Sequence, residues 1–422
     1  MDRREFLKLS AAMGISLTSP IGGRSAHAQS AFNGRFLVTI QAEGGWDPTM
    51  LCDPKGRQGP SDPNPINNLF NEAEIEQVGN IRYAPIGNNQ SFFQKFYDRL
   101  YVLNGIQTGT NNHDTGQMLA WSGEGQRTYP TLAALYAAAA ETNKPMAYLS
   151  NGGFDETKQL LTPIRTSNLN AMKKLASVNE IYVNQDKHFH TASTMSRILD
   201  AMEARLNRQQ AARTLPKAQQ AMTTLHQARL GREQLHQLNA FLPASLDNSN
   251  NILISQVQMA IAAFRAGLTV SVNMKIGSFD THTNHDVTHV IRMQRLLAGL
   301  EYLMDEADAY GLSNNLVVVV ASDFGRTPRY NAGGGKDHWP ITSAMVIGPN
   351  IPGNTVVGAS DAGHHALAIN YQDLSQDSVN GLDLKPQHLQ HALRRYLGID
   401  NHPIVQEYPI YGDALPLLGL PA

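Results

Sequence analysis

The sequence predicts an α/β protein with a mostly parallel sheet sandwiched between helices and one helical insertion. Apolar runs of strand length alternate with longer helical stretches. The runs lack polar alternation, as expected of strands buried on both faces. Asp and His also collect just after the runs or after a Gly-rich loop: Gly44-Gly45-Trp46-Asp47, Asp280-Thr281-His282-Thr283-Asn284-His285, Ser322-Asp323-Phe324-Gly325-Arg326-Thr327 and Lys336-Asp337-His338-Trp339. Open parallel sheets bind ligands beyond the carboxyl ends of their strands.

Residues 35–40 read as the first buried strand, stopped by Gly44-Gly45 with Asp47 just beyond. A second strand at 100–103 leads through a polar loop into a helix that includes Met118 to Trp121. The Ala- and Leu-rich stretch 131–140 is a further helix. From about 191 to 242 the composition shifts to Gln, Ala, Arg and Leu, which reads as a two-helix insertion broken near Pro216. A helix at 252–268 then feeds a strand at 269–276. The next helix, 290–310, stops before Gly311, and 316–321 is the clearest buried strand in the chain.

With 422 residues, 42% hydrophobic and 17% charged, the chain can bury a large core, taken here as one domain over residues 31–422. A net charge of -2 gives no reason to expect nucleic acid or anionic membrane as a partner. Asp2-Arg3-Arg4-Glu5-Phe6-Leu7-Lys8 resembles a twin-arginine export signal, and a weakly apolar stretch and Ala26-His27-Ala28 come after it. The expectation is a signal peptide over residues 1–28, the twin-arginine translocation machinery as a partner, and a periplasmic or secreted mature protein. No later run reaches the roughly 18 apolar residues of a membrane span. Cys52 is the only cysteine, which excludes an internal disulfide and a multi-cysteine iron–sulfur or zinc site.

Asp280, His282, His285, Asp323, Asp337 and His338 form a donor set suited to a divalent metal, zinc first, with manganese, magnesium or calcium as alternatives. They could supply one mixed site or two adjacent ones; two ions would stabilise both the attacking and leaving oxygens of a phosphoryl or sulfuryl transfer. Other matches fail. Asp323-Phe324-Gly325 has no kinase catalytic loop upstream, Gly333-Gly334-Gly335-Lys336 lacks the Ser/Thr of a phosphate loop, and Asp114-Thr115-Gly116 has no second copy to complete an aspartic protease pair. The absence of a Gly-rich dinucleotide fingerprint argues against a redox enzyme.

Taken together, the leader, Gly44-Gly45-Trp46-Asp47, Phe279-Asp280-Thr281-His282, Ser322-Asp323-Phe324-Gly325-Arg326-Thr327-Pro328 and Gly334-Gly335-Lys336-Asp337-His338 resemble the bacterial domain of unknown function 1501 family over most of the chain. That family is grouped with the alkaline phosphatase and sulfatase superfamily. The resemblance implies a metal site at the strand ends, with Asp47, Asp280, His282, His285, Asp323 and His338 as ligands. Phe324 stands where superfamily phosphatases carry a His, so one ion site is lost or rebuilt with Asp337. The resemblance places a nucleophile at the helix start after the second strand, where Thr110 and Thr115 are candidates, with a helix cap as the alternative. His113 is a ligand, a general base or a loop histidine. Arg326 holds a substrate oxyanion or forms an ion pair. The implied function is an exported metal-dependent hydrolase of phosphate or sulfate esters, on a small molecule or a polysaccharide. The alternative is a non-catalytic, metal-stabilised binding or structural member of the same fold.

Overall fold

In the computed structural model, which describes residues 34–421 apart from 141–143, 166–167, 178, 182–186, 220 and 223–234, the apolar runs are strands of one eight-stranded sheet. In chain order the strands are β1 (Phe36–Ala42), β2 (Glu76–Val78), β3 (Ile81–Tyr83), β4 (Tyr101–Gln107), β5 (Tyr148–Ser150), β6 (Ile164–Arg165), β7 (Ser271–Ile276), β8 (Leu316–Ser322), β9 (Gly325–Arg326), β10 (His338–Trp339), β11 (Ile341–Ile347) and β12 (Thr355–Val357). The main sheet runs β12-β4-β11-β8-β1-β7-β5-β6, while β2 pairs with β3 and β9 with β10. Seven of its strands point the same way, and β11 alone runs against its neighbours β4 and β8.

All seven residues of β1, β8 and β11 are buried. Successive side chains point to opposite faces, so unbroken burial means that both faces are covered. Among the described residues the helices of eight or more residues are α1 (Asn89–Phe96), α2 (His113–Ser122), α3 (Leu132–Ala140), α4 (Leu169–Ala176), α5 (Ala192–Ala211), α6 (Ile252–Arg265), α7 (His285–Ala309) and α8 (Pro386–Tyr396). α7 packs on α6 and α1, α8 packs on α2 and α3, and α6, α3 and α2 reach the central strands. Residues 33–422 form one compact unit. Among the described residues no helix is long and apolar enough to cross a membrane.

The predicted α/β class and the predicted parallel core are both present. Several shorter elements lie outside the expectation, β5, β6 and β12 of the main sheet among them, and two differences bear on the site. α7 begins at His285 rather than at 290, because its first turn carries His285, Asp286 and His289 and so lacks the apolar period used to find it. β11 was not anticipated, and its direction matters: in a sheet whose other strands end at one edge, β11 begins there. The described part of the 191–242 insertion contains α5, a 20-residue helix, and most of the expected second helix lies outside the described residues, as do residues 1–28.

One edge of the sheet therefore gathers five segments: the loops after β1, β7 and β8, the β4–α2 connection, and the residues just before β11. Leu37, in central β1, is 0% exposed. Leu37→Ala is expected to cost about 2–5 kcal/mol in chemical denaturation. A loss below about 0.5 kcal/mol would be incompatible with a close-packed central strand.

Candidate metal centre

Asp280, in the loop after β7, is the focus of the edge cluster. Its Oδ1 lies 3.0 Å from His282 Nε2 and 3.1 Å from His338 Nε2, and its Oδ2 lies 3.6 Å from His113 Nε2. The Nε2 atoms of His282 and His338 are 3.0 Å apart. One donor atom each from His113, Asp280 and His338 falls within 4.8 Å of the other two.

Each ring is held through its other nitrogen. His113 Nδ1 meets Asp323 Oδ2 at 2.5 Å, His282 Nδ1 meets Asp337 Oδ1 at 2.7 Å, and His338 Nδ1 meets the Asn111 carbonyl at 2.7 Å. These partners are acceptors, so Nδ1 carries the hydrogen and a neutral ring presents a lone pair at Nε2. His282, His338 and Asp280 thus bring three lone-pair atoms to 3.0–3.1 Å of one another. That contact is repulsive until a proton or a cation enters it. The donor set fits a divalent ion: a carboxylate or carbonyl behind the ring is the usual support of a metal-binding histidine. Tetrahedral zinc with bonds near 2.0 Å would space its donors by about 3.3 Å.

Electrostatics favour an anionic Asp280. Burial pushes its carboxyl upward, but the hydrogen bond and charge of Arg326 outweigh this and hold it at about 2. Asp337 is lowered by its hydrogen bond to His282, and His113 is raised by its hydrogen bond to Asp323. The Arg326 guanidinium is 0% exposed and donates to Gly45 O at 2.8 Å, Lys336 O at 3.0 Å, Gly44 O and Asp280 Oδ1 at 2.7 Å.

Two glycines let the loops approach. A Cβ on Gly44, which has φ 109°, would lie 2.5 Å from Asp280 N, and one on Gly335 would lie 1.9 Å from the His282 carbonyl carbon. Only glycine fits such contacts.

A second polar network is fully buried. Asp47 Oδ2 accepts from Lys336 Nζ at 2.6 Å and His285 Nε2 at 3.1 Å, and Oδ1 accepts from Thr49 N at 2.9 Å and Thr49 Oγ1 at 2.6 Å. Four donors use the carboxylate's acceptor capacity. His289 Nε2 accepts from the Asp47 amide at 2.8 Å, so its Nδ1–H donates to Thr281 Oγ1 at 3.2 Å. Thr281 Oγ1 is 2.6 Å from His285 Nδ1, and donation there leaves His285 Nε2–H for Asp47. This assignment closes a ring of hydrogen bonds with both imidazoles neutral. Burial depresses the pKa of both rings, His289 far below the usual value. For Asp47 the effect of burial is outweighed by Lys336 and His285, and its carboxyl is held well below the usual range.

The structure therefore brings together Asp280, His282 and His338, with Asp337 bonded to His282. Asp323 joins through His113, and its Oδ1 is taken by the amides of Gly44 and Gly45 and by Ser322 Oγ. Asp47 and His285 belong to the buried ring. Thr110 Oγ1 accepts from the Asn112 amide at 3.1 Å, while Asn112 Oδ1 caps α2 by accepting from the Thr115 amide at 3.0 Å. Neither threonine hydroxyl is bonded to Asp280, His113, His282 or His338. Arg326 pairs with Asp280, not Asp323. Sequence reasoning gave no role to Asn111, Thr281, His289 or Lys336, although Thr281 and Lys336 lie within the motifs it singled out. The four-residue spacing of His285 and His289, which puts both on one helix face, was the available signal.

The family model described as "Protein of unknown function (DUF1501)" matches residues 35–404. No curated protein matches the sequence. Among solved structures, the chain is similar to a protein from a Bacteroides thetaiotaomicron glycosaminoglycan-metabolism locus, with 11% identity, TM-score 0.40, and 90% of this chain and 75% of that chain covered. It is also similar to alkaline phosphatase from the Antarctic bacterium TAB5, with 8% identity, TM-score 0.37, and 86% and 98% covered. A third is a Vibrio parahaemolyticus protein in the alkaline phosphatase superfamily, with 9% identity, TM-score 0.34, and 94% and 76% covered.

The buried ring makes the fold acid-sensitive. His285 and His289 have depressed values, so unfolded chains take up protons near pH 6.5 that the folded protein refuses. Stability is full above about pH 6.5 and falls as pH drops; Asp47, also depressed, adds its own loss below about pH 4. His113, raised, works in reverse: its contribution is present below about pH 6.5 and is lost as pH rises through its folded value. Its side chain is 32% exposed and screened, so the buried pair dominates. Thermal scans of chelator-treated protein are expected to show a lower midpoint at pH 5 than at pH 7; an equal or higher one would mean that the buried imidazoles accept protons within the fold.

Proposed function

We propose that this chain, which belongs to the DUF1501 family, is an exported metal-binding protein whose centre hydrolyses phosphate or sulfate esters. The ligands are Asp280, His282 and His338, with His113 as a fourth. Zinc is the first choice on the count of imidazoles, ahead of manganese, magnesium and calcium. The observation that carries this reading is the 3.0 Å approach of the His282 and His338 Nε2 atoms, each turned inward by an acceptor at Nδ1. A bound divalent ion would polarise an ester oxygen and lower the pKa of water.

The chain's own residues prepare that site. Arg326 keeps Asp280 ionised and oriented, while Asp323, Asp337 and the Asn111 carbonyl fix the tautomers of three rings. The cluster is open, with the Asp280 side chain 44% exposed, which suits an ester carried on a bulky molecule such as a polysaccharide as well as a small one. Water is the preferred nucleophile over Thr110 or Thr115, because both threonine hydroxyls lack any hydrogen bond to the cluster.

A second reading keeps the metal and drops catalysis. Its support is Arg326, buried and already donating to four acceptors, which leaves it poorly placed to grip a substrate oxyanion.

Metal analysis of protein purified without chelators is expected to give about one equivalent. Asp280→Ala with His338→Ala should lower affinity by more than the tenfold to hundredfold typical of an outer partner, the range expected for Asp337→Asn. A metal-free wild type under zinc, manganese, magnesium and calcium supplementation would sink the proposal. Turnover of aryl phosphates or sulfates that disappears in the double variant supports the hydrolase; metal binding without turnover of any ester favours the second reading.

Export through the twin-arginine route rests on Arg3-Arg4 and the weakly apolar segment after them. Replacing both arginines with lysine is expected to hold the protein in the cytoplasm on cell fractionation. Unchanged export would remove the twin-arginine assignment.

A further inference from the structure

Lysine is almost never fully buried unless paired, because its ammonium loses hydration that only a strong partner replaces. Lys336 is 0% exposed. Its Nζ is 2.6 Å from Asp47 Oδ2 and 3.5 Å from Asn67 Oδ1, and it lies 5.2 Å from the Tyr330 ring centroid, within cation–π range. The residue is also tied by its main chain. Its amide donates to Thr281 O at 3.0 Å, and its carbonyl accepts from Arg326 Nη1 at 3.0 Å.

These attachments fall between the two ligand-bearing segments. Thr281 separates Asp280 from His282, and Arg326 holds Asp280. Lys336 itself precedes Asp337, which orients His282, and His338. Asp47, its partner, is bonded to His285 at the start of α7, and the ring through Thr281 returns to the same loop. Lys336, whose side chain reaches no ligand, is thus joined to the supports of Asp280, His282 and His338 by its own amide and carbonyl and, through its ammonium, by Asp47.

We infer that Lys336 is a positioning residue of the metal centre: its ammonium, a fixed counter-ion to Asp47, locks the segment bearing Asp337 and His338 against the loop bearing Asp280 and His282. This rests on the metal-centre reading. The lock sets the His282–His338 separation before any ion arrives, so the apo site is already close to its loaded arrangement.

The test is the double variant Asp47→Asn, Lys336→Met, which removes both charges while nearly preserving volume. Its hydrogen bonds can be remade: the carboxamide introduced at position 47 donates through its Nδ2 to His285 Nε2, His285 Nδ1–H turns to Thr281, and Thr281 donates to Phe279 O, 3.2 Å away. Lys336→Met alone leaves an unpaired buried carboxylate and should melt lower than the double variant. Cobalt(II) replaces zinc as a probe whose visible bands report ligand geometry. The folded double variant is expected to bind cobalt tenfold to a hundredfold more weakly than wild type, with altered bands.

A purely structural role would lower the melting midpoint and leave affinity and bands unchanged, and that result would overturn the inference while leaving the metal site intact. Failure of the wild type to bind cobalt or zinc would instead overturn the reading beneath it. A measurement independent of the variants uses hydrogen exchange in the metal-free wild type. The Lys336 amide should exchange as slowly as those of β8; exchange at the rate of an open loop would also overturn the lock.

Discussion

The buried ion pair between Asp47 and Lys336 is the constraint on which the site end of this molecule depends. Two opposite charges, each with 0% side-chain exposure, are held 2.6 Å apart in surroundings that would penalise either one alone. Breaking such a pair is more costly than never forming it, so the chain is committed to the arrangement that satisfies both partners. That arrangement closes a hydrogen-bonded ring through His289, Thr281 and His285, and the ring fixes the start of α7 against the end of β1. The exposed cluster of Asp280, His113, His282 and His338 is built on this support.

Sheet topology explains how segments far apart in sequence reach one place. β1, β4, β7 and β8 share a direction, so the loops leaving their carboxyl ends lie at one edge. The reversal of β11 is what lets residues that precede a strand, Asp337 and His338, join residues that come after strands, Asp280 and Asp323. A parallel strand in that position would have carried them to the far edge. The short β9–β10 pairing, which sets His338 opposite Arg326, completes the approach.

The carboxylates at this edge divide according to what already occupies them. Asp47 and Asp323 each receive four donors and are spent on structure; Asp280 faces imidazole nitrogens that present lone pairs. Burial and donor count thus separate support from candidate ligand among residues that look alike in sequence. The same division explains Arg326, whose guanidinium is spent on three backbone carbonyls and Asp280.

Much of the architecture was legible in the sequence because burial on both faces leaves a direct mark: Leu316–Ser322 is apolar up to its last residue, and Phe36–Ala42 carries only Thr39 and Gln41 as polar side chains. The placement of Asp and His after those runs likewise marked the edge that holds the cluster. The first turn of α7 was hidden, because His285 and His289 are polar residues in buried positions and mimic a loop. The direction of β11 was hidden as well, since an apolar run carries no sign of its orientation. By itself the sequence determined the fold class, the family and the pool of candidate ligands, all of which follow from local pattern. Only the tertiary structure decided that Lys336 pairs with Asp47, that Asn111 and Asp337 turn two rings toward Asp280, and that His113 joins them. Those outcomes depend on which donors meet which acceptors across distant segments, and no local period encodes that.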